Sequence, residues 1–318
     1  MNTPGFNIAA VERDTGLSKD VLRMWERRYG FPAPDRDSNG ERTYPADQVD
    51  RLRLIKRLMD AGHRPGKLIS TPSDELLTLA PRRPSVRLER TEESIPELEQ
   101  LLALIKQHDA SGYQHAMQQR LARQGMQRFV QDTVAPLTHR VGEAWEDGSF
   151  EVFEEHLYTE LTKRLLRQAI AGLPGGSGSP RILLTSVPEE PHVLGLLMAE
   201  TLLTLEGAEC IPLGTQMPLL EIARAASAHR ADIVALSFSA AFPHRQIPGL
   251  LQQLRMALPD EMAIWAGGSG IYRVPPISGV ELLASLEQSA SAVQDWRQRQ
   301  ALPPSTVKNP NRAKDPIE

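Results

Sequence analysis

With 318 residues the chain is long enough for two or three domains, each with a core of its own. Its 41% hydrophobic and 24% charged residues are the mixture of a soluble globular protein, and no signal-like N-terminus or long apolar run marks export or membrane insertion. A single cysteine, Cys210, rules out a disulfide framework and fits a reducing, cytoplasmic setting. The net charge of −4 conceals an asymmetry: up to Lys67 there are 13 Lys and Arg against 10 Asp and Glu, so this part is +3 and the remainder −7.

Residues 1–75 form the first expected unit. Residues 6–11 predict a short helix and Thr15-Gly16-Leu17 a turn, with Ser18 the N-cap of a second helix to about Arg28. Leu22 and Trp25 face inward or toward a DNA backbone, while Lys19, Arg23, Arg27 and Arg28 make one side cationic. Glycine and proline in residues 29–32 stop this helix. Residues 34–44 predict a hairpin with a polar tip, and Asp47 opens a helix carrying Val49, Leu52, Ile55 and Leu58 at helical spacing. Basic charge on a helix-turn-helix and a hairpin is the footprint of a DNA reader. The words L-R-M-W-E-R-R-Y-G, P-x-R and G-x-R-x-Y resemble the winged helix of MerR-type regulators. That resemblance implies a recognition helix from Ser18 to Arg28 and a wing from Arg36 to Tyr44. Its DNA-binding residues would be Ser18, Lys19, Arg23, Trp25, Arg27, Arg28, Arg36, Arg42 and Tyr44, and its partner double-stranded promoter DNA.

Residues 76–94, rich in proline, read as a linker interrupted by a short apolar helix. Residues 95–172 carry almost no strand signal. Four apolar stripes, through Leu101, Phe129, Leu137 and Leu161, predict a four-helix bundle with breaks near Gly112 and Gly148. Within it Trp145 is followed by nine residues and then Glu155-His156, a W-x9-E-H pattern offering an aromatic face beside a hydrogen-bonding pair. Residues 173–180 read as a flexible Gly/Ser/Pro linker that lets the bundle and the next domain close around a ligand.

Residues 181–300 alternate strand and helix. Runs at residues 182–187 and 208–213, and others ending at Ser237 and Gly267, predict strands, and a last helix is expected from Glu281 to about 298. Right-handed crossovers then give a flavodoxin-like, doubly wound parallel sheet. Three features fall at strand ends, where such a sheet binds its ligand. The first is Glu190-Pro191-His192-Val193-Leu194-Gly195, an E-x-H-x-x-G loop in which Glu190 can hold the His192 ring while Gly195 admits a close helix start. Ser237-Phe238-Ser239 follows after 41 residues, and Gly267-Gly268 after 27 more. From residue 301 the chain is polar and proline-rich, composition of a disordered tail.

The order and spacing of these three features resemble the cobalamin-binding domain of the methionine synthase and corrinoid-protein type. There a histidine replaces the cofactor's own base as lower axial cobalt ligand. The resemblance implies His192 as the metal ligand, Glu190 as its support, Ser237 and Ser239 beside the buried base, and Gly195, Gly267 and Gly268 leaving room for it. The middle motif departs from the family's S-x-L, reading S-F-S. The W-x9-E-H pattern is similar to the helical cap of B12-dependent photoreceptor regulators, which places Trp145, Glu155 and His156 over the upper face of the corrin. DNA reader, cap and sheet together resemble the CarH/LitR type of MerR-like, light-responsive regulators. This implies a homo-oligomeric repressor (a dimer or tetramer) with adenosylcobalamin as cofactor and light as signal. In the best-known members a histidine follows the motif tryptophan, whereas here Glu146 does, a poorer cobalt ligand; the illuminated product would then carry water or a weak Glu146 oxygen. Two other classes compete: a corrinoid carrier subunit of a methyltransferase, and a regulator that has lost B12 and answers to a protein partner. The winged helix speaks against the first and the intact E-x-H-x-x-G against the second.

Overall fold

The computed structural model describes residues 5–37, 40–60, 63–79, 94–173 and 178–301. The tip of the expected wing at 38–39, most of the first linker, residues 174–177 and the expected tail from 302 lie outside them.

The N-terminal unit runs β1 (Phe6–Asn7), α1 (Ile8–Thr15), α2 (Lys19–Tyr29), β2 (Asp35–Arg36), β3 (Arg42–Tyr44), α3 (Ala46–Asp60), α4 (Pro65–Ser70) and α5 (Ser73–Thr78). Where an all-α unit with one hairpin was expected, a small antiparallel sheet in the order β1-β3-β2 braces it. The helix expected from residue 6 begins at Ile8, because the Asn7 side chain accepts from the Ala10 N–H and frees Phe6–Asn7 to pair with β3. Ser18 caps α2 as expected, its hydroxyl accepting from the Val21 N–H at 3.3 Å. Val11, Leu22, Trp25, Tyr44, Leu52, Ile55 and Leu68 fill the core. Leu76 of α5 is buried in the same core, so this helix belongs to the unit and not to a linker.

The second unit has four helical arms: α6 (Ser94–Lys106), α7 (Ala110–Gln124), a third arm, and α10 (Val152–Ala171). The third arm passes from α8 (Met126–Arg128) through a π-helical turn at Phe129–Val134 into α9 (Ala135–Glu146). Gly112 is no break. The chain turns just before it, and Asp109 caps α7 by accepting from the Gly112 N–H at 2.8 Å. The start of α10 is fixed by a capping box between Glu151 and Glu154. Glu154 is buried and also takes Lys106 at 3.3 Å and His108 at 3.5 Å. Burial pushes this carboxyl up, but the Glu151 N–H and the Lys106 charge outweigh it and hold it below its ordinary value.

The third unit comprises β4 (Gly178–Thr185), α11 (Leu194–Leu205), β5 (Ala208–Gly214), α12 (Leu219–Ala228), β6 (Ile233–Ser237), α13 (Ile247–Ala257), β7 (Ala263–Gly267), β8 (Val280–Leu283) and α14 (Leu286–Ala301). Its five strands are parallel in the order β5-β4-β6-β7-β8. This is the doubly wound arrangement the alternation predicts, with its topological switch at β4 and β6. Two expectations are corrected. The strand β8 occupies the start of the helix expected from Glu281, and β4 takes in the last three residues of the expected 173–180 linker. On one face α11 and α14 cover the sheet, on the other α12 and α13. Leu194, Leu197, Met198 and Leu202 of α11 enter the apolar core of the bundle, so bundle and sheet share one hydrophobic cluster.

Candidate functional site

The loop leaving β4 carries Glu190 and His192. Glu190 is 1% exposed, and its Oε1 accepts from His192 Nδ1 at 2.6 Å and from the His192 N–H at 3.1 Å. Its Oε2 accepts from the Ser239 N–H at 2.7 Å, tying the loop after β4 to that after β6. Burial drives this carboxyl up, yet these hydrogen bonds, that of His192 foremost, leave it below the ordinary carboxylate value. An ionised carboxylate only accepts, so Nδ1 is the donor in this bond and Nε2 is the ring nitrogen left for a metal. His192 remains half exposed.

At the ends of β6 and β7 two glycines make close approaches. A Cβ on Gly195 would lie 2.7 Å from Ser237 Oγ, so a larger residue there would push that hydroxyl aside. Gly268 has φ +94°, and a Cβ there would come within 2.4 Å of the Phe238 carbonyl oxygen. Gly268→Ala should therefore cost about 2–4 kcal/mol from strain and overpacking together, read as a lower midpoint in urea. At Gly267 the added atom would meet Leu283 at 3.6 Å, an ordinary contact, so the fold itself does not ask for glycine. Ser237 is 9% exposed, and the Ser239 hydroxyl is buried without a hydrogen-bond partner. The orphaned Ser239 hydroxyl, on the loop that Glu190 holds, could hydrogen-bond a polar group brought in by a ligand.

The Glu155–His156 pair lies on α10. A cleft of about 370 Å³ lies between this helix and the sheet, lined by Glu155, His156, Thr159, Pro191, Val193 and Thr215 among others. Pro191 and Val193 flank His192 in sequence, but His192, Ser237, Ser239, Gly267, Gly268 and Trp145 are not part of this lining. Glu155 accepts from His156 Nδ1 at 2.9 Å and from the Thr159 hydroxyl at 2.8 Å, so the predicted pair forms on the cleft wall. Trp145 is half-buried and packs against the bundle core at the end of α9. The side chain of Glu146 lies outside the described residues. Among those described, no three His, Cys, Asp or Glu side chains gather to hold an ion. A metal at His192 would bring most of its own ligands, as a corrin ring does.

Sequence reasoning missed Ser186. It is fully buried, donates to the Glu190 carbonyl at 2.6 Å and accepts from the Gln216 N–H at 2.9 Å. One hydroxyl thus joins the loops after β4 and β5. A serine closing a buried apolar run was its only signal.

On the winged helix, Arg23, Arg27 and Arg28 are exposed along α2. Lys19 pairs with Glu12 at 3.4 Å, and Arg28 lies over the Tyr29 ring at 5.2 Å. Arg36 donates to the Gly40 carbonyl at 2.6 Å, holding the wing. Arg42 donates to Glu26 at 2.9 Å, an ion pair that ties the wing strand to α2. Trp25 and Tyr44 need correction as DNA contacts: they are 2% and 0% exposed, and both support the surface from the core.

Comparison with known proteins agrees with this assembly. The model of the MerR HTH family regulatory protein matches residues 6–68, and that of the B12 binding domain matches residues 97–170. The HTH-type transcriptional repressor CarH of Myxococcus xanthus is 31% identical over 267 residues, covering 83% of this chain and 88% of that protein. CarA of the same organism, also a transcriptional repressor, is 27% identical over 83% of this chain and 87% of its own. The Methanosarcina barkeri monomethylamine corrinoid protein shares the fold of the bundle and sheet, with a TM-score of 0.51 at 15% identity over 62% of this chain and 96% of that chain. No helix among the described residues is long and apolar enough to cross a membrane. With a MerR-type winged helix in front of a B12-binding unit, and a likeness to CarH that spans both, the chain belongs to the CarH-type family of DNA-binding transcriptional repressors.

Proposed function

We propose that this repressor holds adenosylcobalamin in the cleft between α10 and the sheet, and that light acting on the bound cofactor releases it from promoter DNA. The observation that carries the reading is the Glu190–His192 pair, a histidine with one nitrogen held at 2.6 Å, on a loop whose Pro191 and Val193 line a cleft. When bound, adenosylcobalamin supplies a cobalt–carbon bond that light breaks.

The chain's own residues then have distinct tasks. His192 binds cobalt through Nε2, and Glu190 orients the ring and raises its basicity. Ser237 and Ser239 would hold the cofactor's base beside Gly267 and Gly268, giving the orphaned Ser239 hydroxyl a partner. Trp145 would exclude water from the bound cofactor, while Glu155 and His156 would hydrogen-bond its adenosyl group. Loss of those cap contacts on illumination loosens the bundle and changes how copies of the chain assemble on DNA. Lys19, Arg23, Arg27 and Arg28 meet phosphates and base edges through α2, and Arg36 does so from the wing.

The test is an absorbance titration with adenosylcobalamin in the dark, followed by illumination, with promoter DNA mobility measured in both states. We expect a saturable spectral change without the cofactor's own base on cobalt, and a light-dependent loss of the DNA complex. Binding of DNA with no spectral change would instead favour the partner-controlled regulator.

A further inference from the structure

The face that α2 turns to DNA is not uniformly cationic. Asp20, Arg23 and Arg27 follow at helical spacing, and with Arg42 they line one cleft between the helix and the wing strand. The Asp20 side chain is 94% exposed and lies 3.5 Å from Arg23. Arg42 is already committed to Glu26. A carboxylate repels phosphates, so a face built only for backbone binding would be better without Asp20. What a carboxylate offers a DNA duplex is acceptance of a hydrogen bond from an exocyclic amino group, which in the major groove means cytosine N4.

We infer that Asp20 is a specificity-determining residue: its carboxylate reads a cytosine amino group in the major groove and holds Arg23 toward a neighbouring guanine. The inference rests on the placement of α2 in the major groove. Arg23 supplies the two parallel donors that guanine O6 and N7 accept, and the Asp20 carboxylate one turn back, 3.5 Å away, lies where it can hold the guanidinium toward that guanine. Asp20 also sits in the first turn of α2, where a negative charge favours the helix. That role alone would affect all DNA sequences equally, so it is separable from base reading.

The experiment is selection from a randomised duplex library by the full-length chain, loaded with adenosylcobalamin in the dark and also unloaded, for wild type, Asp20→Ala, Asp20→Asn and Arg23→Ala. Thermal midpoints should be nearly equal, since the side chain is exposed. We expect the wild type to prefer cytosine at one position by roughly tenfold, Asp20→Ala to lose that preference while binding random DNA at least as tightly, and Asp20→Asn to turn it toward adenine. Arg23→Ala should lose an adjacent guanine. Unchanged base preferences in both Asp20 variants, or a uniform loss of affinity, overturn the inference while leaving DNA reading by α2 intact. Failure of every variant, wild type included, to enrich any sequence would overturn that reading as well.

Discussion

His192→Ala is expected to lower the affinity for adenosylcobalamin by well over 100-fold. Removing a partner that merely orients a metal-binding histidine costs about 10–100-fold, and this substitution removes the ligand itself. It also leaves Glu190 buried with one of its three donors missing, the 2.6 Å bond from Nδ1. The residual spectrum should be that of cofactor retaining its own base, because nothing on the protein would displace it. Glu190→Gln should fall between, near tenfold, since an amide still accepts from the ring but carries no charge. The readout is a dark absorbance titration of each variant, and equal affinity with an unchanged spectrum in His192→Ala would remove the axial ligand from the account.

Trp25→Ala is expected to unfold or nearly unfold the winged helix, at a cost of about 3–5 kcal/mol for the cavity left by a side chain that size. Trp25 is 2% exposed and packs with Leu22, Tyr44 and Leu52 in one core. DNA binding would be lost with it, which by itself would look like removal of a contact. Trp25→Phe separates the two roles, because it keeps most of the apolar volume. It should retain operator binding with an unchanged salt dependence, whereas a residue touching DNA would alter affinity in both variants. Denaturant melts of the two, beside mobility shifts, supply the comparison.

The arginines of α2 and the pair Glu190–His192 were legible in the sequence because short motifs place them. Trp25 and Tyr44 sit in those same motifs, yet a motif marks a position as important without saying whether it faces DNA or core. Helical spacing with Leu22 is what makes Trp25 interior. The parallel, doubly wound sheet followed from the alternation of strands and helices, but β8 did not. Val280–Leu283 lies at the sheet edge, half-buried throughout, and Glu281 there answers Arg299 of α14 at 3.1 Å, so its polar content reads as the start of a helix. The link from Ser239 to Glu190 was invisible for another reason. It is made by a backbone N–H, and no side-chain pattern reports it.

The shared cluster on α11 sets a limit on how a signal could leave the cleft beside α10. Prising the bundle from the sheet would expose Leu194, Leu197, Met198 and Leu202 to water. At about 1.5–3 kcal/mol for each side chain, that is roughly 6–12 kcal/mol, as much as a typical domain's entire stability. A jaw that opens on a hinge is therefore the wrong mechanical picture. The two halves are welded along α11, and whatever moves must slide or twist over an intact seam. Movement is cheapest where the weld is absent, on the outer surface of the bundle, where a neighbouring copy would feel it.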